Sequence, residues 1–383
     1  SELVAGNTAF AFDFYQTLRE EDGNIVYSPY SISLAFAMAY AGARGETASQ
    51  MADVLHYTLP EAQFHPAFNA LDLDLAARPE QAANVDKNDR FELTIANALW
   101  GQKDWPFLPE YLDLLALNYG AGMRLVDFAK SPESARRAIN DWVSDQTRKR
   151  IQNMLPPGMP DTSTRLVLAN AIYFKAVWEY EFDANNTNDR PFTLLNGEIV
   201  NVPMMSQDHQ KPFPYAAGEG WQAITLPYKG GLTEMVVIVP DLGNFEAVEN
   251  ILTAETYGQI VNQMQTEQVR LSMPKFKFET SLTLSNVLPQ MGMTDAFNPD
   301  LADFSGMDGQ RSLYISEALH KAFIAVDEKG TEAAAVTSVG MALTAMPRPE
   351  ERFSLVVDRP FLIAILDRDT EAVLFLGAVR NPE

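Results

Sequence analysis

The 383-residue sequence contains no cysteine, which excludes a disulfide framework, a thiolate nucleophile and cysteine-bound zinc or iron–sulfur centres. Cations are also scarce: 29 Lys and Arg residues stand against 51 Asp and Glu residues, a net charge of −22. Such a chain repels phosphate, so we expect neither nucleic acids nor membranes as partners. The longest apolar stretch, residues 31–43, is too short to cross a bilayer of about 30 Å as a helix. The missing cysteine and the acidity together favour a prokaryotic source.

Catalytic signatures are missing as well. The four histidines, His56, His65, His209 and His320, show no pair with the spacing and carboxylate partner of a zinc hydrolase. The sequence has no G-x-S-x-G elbow, no phosphate-binding loop and no dinucleotide-binding glycine motif. His320 lies in an apolar run, which favours a buried, hydrogen-bonded histidine over a general base. We therefore expect no enzyme and no metal or cofactor, and keep a hydrolase that uses His320 only as a third interpretation.

Helix signals dominate the first part of the chain and strand signals the second. Ser28 followed by Pro29 predicts a helix N-cap, and Thr47 with Gln50 predicts a capping box. Later segments such as RLVLANAIYF, TEMVVIVP and FLIAIL have the apolar runs of strands. Helices followed by strands indicate an α+β fold rather than alternating βαβ units. Because no repeat or long linker divides the chain, we expect a single domain over residues 1–383.

One connection breaks this pattern. Residues 328–349 have few large apolar side chains, yet they lie between two apolar strands, and a connection of about 20 residues is commonly functional. Read with the period of a strand, one face of this segment carries only small or β-branched residues: Thr331, Ala333, Ala335, Thr337 and Val339. The stretch could therefore enter a sheet as a central strand without burying a charge. Composition alone favours the alternative, a surface loop or a short alanine-rich helix.

The surrounding sequence resembles the serpin family, and this resemblance reverses that preference. Four ordered blocks carry it: NIVYSPYSISLAFAMAYAGARGET (24–47), LANAIYFKAVWEYEF (168–182), ISEALHKAFIAVDEKGTEAAA (315–335) and VVDRPFLIAILDRDTEAVLFLGAVRNP (356–382). The resemblance implies the serpin fold, with three β-sheets, about nine helices and an exposed reactive loop. It also implies an irreversible inhibitor of serine proteases. By this resemblance, a protease is expected to cleave the loop, and the cleaved loop is expected to insert into the large sheet before the covalent acyl-enzyme is hydrolysed.

The same resemblance assigns roles to individual residues of this chain. The hinge of the loop corresponds to Glu328, Gly330, Thr331, Glu332, Ala333, Ala334 and Ala335. A buried polar cluster under the large sheet, called the shutter, corresponds to Ser28, Ser31, Asn170 and His320. Trp178 corresponds to the tryptophan at the breach, where insertion begins. A polar cluster of this kind can switch partners between two states, although ordinary core hydrogen bonding is the alternative.

The reactive bond is placed by the family's spacing. The seventeenth residue counted from Glu328 is Thr344, so the resemblance implies cleavage between Thr344 and Ala345, with Leu343–Thr344 as the alternative. Thr344 suits a protease with a small aliphatic pocket, elastase-like or subtilisin-like, whereas Leu343 suits a chymotrypsin-like enzyme.

The expected partner is thus a serine protease, bound as a covalent acyl complex by a monomeric inhibitor. Residues 65–81 carry few cations where heparin-dependent relatives have a basic helix, so we do not expect heparin activation. The competing hypothesis is a non-inhibitory serpin that acts as a binding or chaperone-like protein, against which the small hinge residues argue. The sequence begins at Ser1 without an export leader, so we expect any export signal to have been removed or never present. We expect an extracellular or cell-envelope location, with the cytoplasm as the alternative.

Overall fold

A computed structural model describes residues 2–82, 85–86, 89–120, 123–207, 210–331 and 353–383. Six α-helices come before residue 147, and four shorter ones lie among the later strands of the described chain. They are α1 (Glu2–Leu18), α2 (Pro29–Tyr40), α3 (Gly45–Leu55), α4 (Glu61–Gln81), α5 (Pro109–Tyr119), α6 (Pro132–Gln146), α7 (Phe245–Ile251), α8 (Ala254–Asn262), α9 (Leu284–Val287) and α10 (Ser305–Asp308). None of these helices combines the length and the hydrophobicity that a bilayer crossing requires.

The strands follow the order that the apolar runs predict. They are β1 (Ile25–Tyr27), β2 (Glu92–Gln102), β3 (Arg124–Val126), β4 (Leu166–Val177), β5 (Asn188–Thr193), β6 (Ile199–Ser206), β7 (Lys211–Gly218), β8 (Trp221–Pro227), β9 (Thr233–Pro240), β10 (Gln265–Pro274), β11 (Phe276–Thr283), β12 (Glu317–Val326), β13 (Gly330–Thr331), β14 (Phe353–Val356), β15 (Phe361–Asp367) and β16 (Val373–Val379). The expected α+β class is confirmed.

The strands assemble into a six-stranded and a ten-stranded sheet. The larger sheet has the order β1-β16-β15-β9-β8-β7-β10-β6-β5, with β14 also paired to β10. Residues 265–269 of β10 pair with β7, whereas residues 272–274 pair with β6. In place of the three expected sheets the described strands form two, because β10 pairs with both β7 and β6 and so joins two groups of strands edge to edge in the larger sheet.

The six-stranded sheet has the order β11-β12-β13-β4-β2-β3 and is covered on both faces. Its inner face packs against the ten-stranded sheet, with Ile172, Phe174 and Ile324 in one buried cluster with Val237 of β9. Its outer face packs against α6, and Ala169, Ala171 and Leu319 form the buried contact. A strand entering this sheet therefore has apolar neighbours on both sides.

Two predicted helix starts had different outcomes. Ser28 caps α2 as predicted, since its hydroxyl accepts a hydrogen bond from the Ser31 amide at 3.1 Å and Pro29 opens the helix. The capping box at Thr47 is wrong, because α3 already begins at Gly45. The Thr47 hydroxyl instead accepts a hydrogen bond from the Asp303 amide at 2.9 Å, so a tertiary contact has taken the group that would have capped the helix.

Candidate functional site

The two-residue strand β13 lies between β4 and β12 and marks the candidate site. Gly330 and Thr331 pair antiparallel with Val177 and Ala176 of β4, and Thr331 also pairs with Val326 of β12. The chain thus leaves β12, reverses, and enters the sheet again as its immediate neighbour. Residues 332–352, which follow, lie outside the described chain.

Below β13 the sheet has a gap. β4 and β12 pair directly with each other, in parallel, only through residues 167–172 and 317–322, six residue pairs in all. The ends of the two strands nearer to β13, residues 173–175 and 323–325, do not pair with one another. The two strands are therefore already apart where a third strand would enter from the hinge.

The turn that joins β12 to β13 is fixed by three donors from the segment after β4. The Trp178 indole donates a hydrogen bond to the Asp327 carbonyl at 3.0 Å, and the Trp178 amide donates to the Lys329 carbonyl at 2.7 Å. The Phe182 amide donates to the Glu328 carbonyl at 2.8 Å. Every carbonyl of the turn thus has a partner in one neighbouring segment, which holds the turn in place.

Side chains of the turn add further contacts. The Asp327 carboxylate accepts hydrogen bonds from the Lys329 and Gly330 amides and so closes the reversal. Lys275 donates to both carboxylate oxygens of Glu328, at 2.8 and 3.1 Å, and the Thr187 hydroxyl donates at 2.8 Å. Burial opposes ionisation of Glu328, but these hydrogen bonds outweigh it and hold its pKa below the usual value. Glu328 therefore ties the hinge to the junction of the two sheets as a carboxylate.

The two residues of β13 fit their places closely. A Cβ on Gly330 would lie 1.9 Å from the carbonyl oxygen of Ala176, so no larger residue can occupy this position without moving the strands apart. Thr331 points to the inner face, is 1% exposed and forms a 2.6 Å hydrogen bond with the hydroxyl of Tyr228. The Tyr228 ring in turn stacks on Trp178, with centroids 4.5 Å apart and planes 9° from parallel. The predicted inward orientation of Thr331 is confirmed.

Beyond the gap, where β4 and β12 pair directly, a buried polar cluster joins the two strands to α2. Asn170 of β4 donates to the carbonyl of Ser31 at 2.8 Å, and its side-chain oxygen accepts a hydrogen bond from Nδ1 of His320 on β12. The Ser28 amide donates to Nε2 of His320 at 3.1 Å. The structure thus brings together all four residues that the family resemblance assigned to the shutter. One of their hydrogen bonds, between Asn170 and His320, joins the two strands that border the gap.

A fifth member of this cluster, Asn97, was not predicted from the sequence. Asn97 of β2 pairs in register with Asn170, donates to the Ser31 carbonyl at 3.0 Å and accepts from the Ser31 hydroxyl at 3.2 Å. It also accepts a hydrogen bond from the Asn170 amide. The signal that could have found it is the strand period, because Asn97 is the polar residue between two apolar ones, Ile95 and Leu99, on the inner face.

His320 is neutral in this setting. Because Nε2 accepts the Ser28 amide, the ring proton resides on Nδ1, and a second proton on Nε2 would point at another N–H. Burial lowers the pKa of His320 to about 3. Its completely buried ring and occupied Nε2 also leave no place for a substrate, so the interpretation as a hydrolase base fails.

Because the folded protein keeps His320 neutral, we expect the free energy of unfolding to decrease in mild acid. The unfolded chain binds a proton on His320 below about pH 6.5, whereas the folded chain does not. The stability that the neutral histidine contributes is therefore complete above that pH and decreases as pH falls. Between pH 6.5 and pH 5 the free energy of unfolding should drop by about 2 kcal/mol from this group alone. Urea unfolding at pH 7 and pH 5 measures it.

The matched variants are His320→Gln and His65→Gln, since burial also lowers the pKa of His65, to about 4. Each substitution should flatten the pH dependence of the unfolding free energy. An unchanged slope in His320→Gln would contradict the assignment. Should that variant not fold, NMR titration of the His320 ring in the wild type gives the same answer, because no protonation is expected down to pH 4.

The remaining predicted residues fall into two groups. Trp178 stands beside the hinge, and its assignment to the breach stays a prediction. The hinge residues Glu332, Ala333, Ala334 and Ala335 and the bond residues Leu343, Thr344 and Ala345 lie outside the described residues. Within the described chain, no group of three or more histidine and carboxylate side chains is placed to hold a metal ion.

Comparisons with known proteins agree with this arrangement. The family model described as "Serpin (serine protease inhibitor)" matches residues 5–382. The chain is 39% identical over 390 residues to leukocyte elastase inhibitor A of Mus musculus, with all of both chains covered. It is 40% identical over 381 residues to an uncharacterised serpin-like protein of Thermococcus kodakarensis, covering all of this chain and 86% of the relative.

Among solved structures, uncleaved ovalbumin superposes with a TM-score of 0.86 at 30% identity, with both chains fully covered. The expected serpin fold is thus confirmed, and the chain is not an enzyme, because the matching family is described as serine protease inhibitors and the mouse relative is named an inhibitor. A hinge already paired into a sheet, a match from end to end and the same architecture in a solved relative lead to one conclusion: this chain belongs to the serpin family.

Proposed function

We propose that the protein is an irreversible suicide inhibitor of serine proteases, which inserts its cleaved reactive loop between β4 and β12. The observation that carries this proposal is β13, which already occupies the first two positions of the new strand. The protease serine would attack the carbonyl carbon of Thr344, release the amine of Ala345 and form an ester. The loop, free at its new end, would then continue β13 into the sheet before water hydrolyses that ester.

Extending the register of β13 predicts where each following residue would go. Residues 332–334 would enter the existing gap, and Ala335 would be the first to separate a paired couple, Ile172 and Ala322. Two residues further, Thr337 would arrive between Asn170 and His320. In this register the inner face receives Ala333, Ala335, Thr337 and Val339, the small and β-branched set. The sheet can therefore close on them without an unpaired charge.

Energetics supports the direction of the change. The six parallel pairs between β4 and β12 would be lost, but the new strand would pair on both edges. A gain of about ten ladder hydrogen bonds at about 1 kcal/mol each gives on the order of 10 kcal/mol, comparable with the stability of a typical domain. The uncleaved protein is then metastable, and an inserted stretch of about 14 residues carries the tethered protease roughly 45 Å.

The finer parts of the proposal concern the target and the setting. Thr344 favours an elastase-like or subtilisin-like protease, and the similarity to a protein named leukocyte elastase inhibitor A supports the former. We further propose that the chain acts as a monomeric single domain, without heparin, outside the cell or in the cell envelope. A cytoplasmic location is the alternative. The competing function, a non-inhibitory binding or chaperone-like serpin, differs in predicting no covalent complex.

One incubation tests the proposal. Purified protein mixed with active pancreatic elastase should give a detergent-stable band at the summed mass of both chains, and elastase pre-treated with an active-site serine reagent should give none. The cleaved inhibitor should also melt well above the intact one, because cleavage allows insertion. Loop cleavage with neither complex nor higher melting temperature would favour the non-inhibitory alternative. No cleavage by elastase, subtilisin or chymotrypsin would contradict the placement of the bond.

A further inference from the structure

Tyr228 stands at the point where the hinge meets the sheet. It follows β8, and its backbone amide donates to the carbonyl of Thr233 at 3.1 Å. The next amide, that of Lys229, donates to the carbonyl of Val177 at 2.8 Å, so this turn joins the ten-stranded sheet to the end of β4. The backbone that carries Tyr228 is therefore fixed to both sheets.

The side chain of Tyr228 is equally constrained. Its ring lies between Trp178, on which it stacks, and Phe174, which it meets edge-on with centroids 5.4 Å apart. The residue is completely buried, and its hydroxyl bonds to the Thr331 hydroxyl at 2.6 Å. If Thr331 left the sheet, this hydroxyl would stay behind without its partner among aromatic rings. A buried polar group without a partner is costly, so Tyr228 favours the hinge position inside the sheet.

The same contact discriminates between registers. A slip of one residue would exchange the two faces of the entering strand and put either Gly330 or Glu332 where Thr331 lies now. A slip of two residues would put either Lys329 or the methyl group of Ala333 there. Among these five residues, the threonine alone has the short hydroxyl that bonds to Tyr228.

We infer that Tyr228 is a positioning residue of the inhibitory reaction, whose hydroxyl fixes Thr331 in register and so starts insertion at the correct pair. The inference rests on the proposed inhibitory function and deepens it. Insertion competes with hydrolysis of the acyl-enzyme, so a smaller population of correctly placed hinges lowers the insertion rate in proportion. Tyr228 touches neither the protease nor the bond that is cut; it acts through Thr331.

The test is the number of inhibitor molecules consumed per elastase molecule inactivated. Tyr228→Phe and Thr331→Val each remove one hydroxyl, and each should raise this number at least about threefold. Thr331→Ser keeps a hydroxyl and should stay near the wild-type value. The double variant has neither hydroxyl, so no buried hydroxyl is left without a partner. The increase in its consumption number should therefore be smaller than the product of the two single increases.

Tyr111→Phe is the matched control. Its hydroxyl is also buried and donates to the carbonyl of Met38 at 3.0 Å, away from the hinge. This variant should lower the melting temperature as Tyr228→Phe does but leave the consumption number unchanged. Equal consumption numbers for Tyr228→Phe and Tyr111→Phe, or multiplicative effects in the double variant, would overturn the inference. A wild type whose loop elastase cleaves without forming a complex would instead refute the inhibitory function, so the two failures are distinguishable.

Discussion

Thr331→Arg will convert the protein from an inhibitor into a substrate of elastase. Thr331 is the first residue of the inner face and is 1% exposed, with Tyr228, Ala176 and Val326 around its side chain. None of these described neighbours offers a guanidinium group an anionic partner, and burying an unpaired charge costs several kcal/mol. The hinge would then leave the sheet rather than bury the charge.

The kinetic consequence is large. If seating the arginine costs about 4 kcal/mol, insertion slows by about a thousandfold, because each 1.36 kcal/mol is a factor of ten. Ordinary deacylation at about 1 to 10³ per second then finishes first, and the protease is released. Elastase should cleave the variant loop without a detergent-stable complex, and the cleaved variant should melt near the intact one. Thr58→Arg, at an exposed position on the turn before α4, is the control and should inhibit normally. Stable complexes formed by Thr331→Arg would contradict the role of this position.

Local signals in the sequence were sufficient for much of the fold. The cap at Ser28 and the strands around Asn170 and His320 depend on neighbouring residues or on a period of two, whereas the inward face of Thr331 also needed the family resemblance. Such signals act within a few residues, and the structure preserves them. The Thr47 capping box failed for the opposite reason, since a hydrogen bond from Asp303, 256 residues away in the chain, displaced a local preference.

The parts of the site that the sequence did not reveal depend on contacts across the chain. Tyr228 is 103 residues from Thr331, and Lys275 is 53 residues from Glu328. Neither residue has a local pattern that sets it apart, because which tyrosine or lysine reaches the hinge is decided by how the two sheets meet. The gap between β4 and β12 likewise depends on how the two strands pair, and two apolar segments do not specify that pairing.

A disulfide between β4 and β12 should block inhibition reversibly. Ile172 and Ala322 are partners in the parallel ladder, both buried on the inner face, at the end nearest the gap. Neighbouring strands lie about 4.8 Å apart, within the range that a disulfide spans. Because the chain has no cysteine, Ile172→Cys/Ala322→Cys introduces the sole thiol pair of the sequence. In the oxidised form we expect cleavage by elastase without a covalent complex and without a rise in melting temperature. Reduction before the protease is added should restore the covalent complex and the rise in melting temperature.

The matched control places a disulfide where the proposal keeps the strands together. Val237 of β9 and Ile363 of β15 are buried register partners in the ten-stranded sheet, so an oxidised Val237→Cys/Ile363→Cys variant should inhibit like the wild type. With β4 and β12 joined by the first disulfide, only residues 332–334 of the loop could enter the gap, which would move the protease about 10 Å instead of roughly 45 Å. That is too short to take the protease across the sheet, and hydrolysis would release it. Full inhibition by the oxidised Ile172→Cys/Ala322→Cys variant would therefore require a route other than separation of β4 and β12.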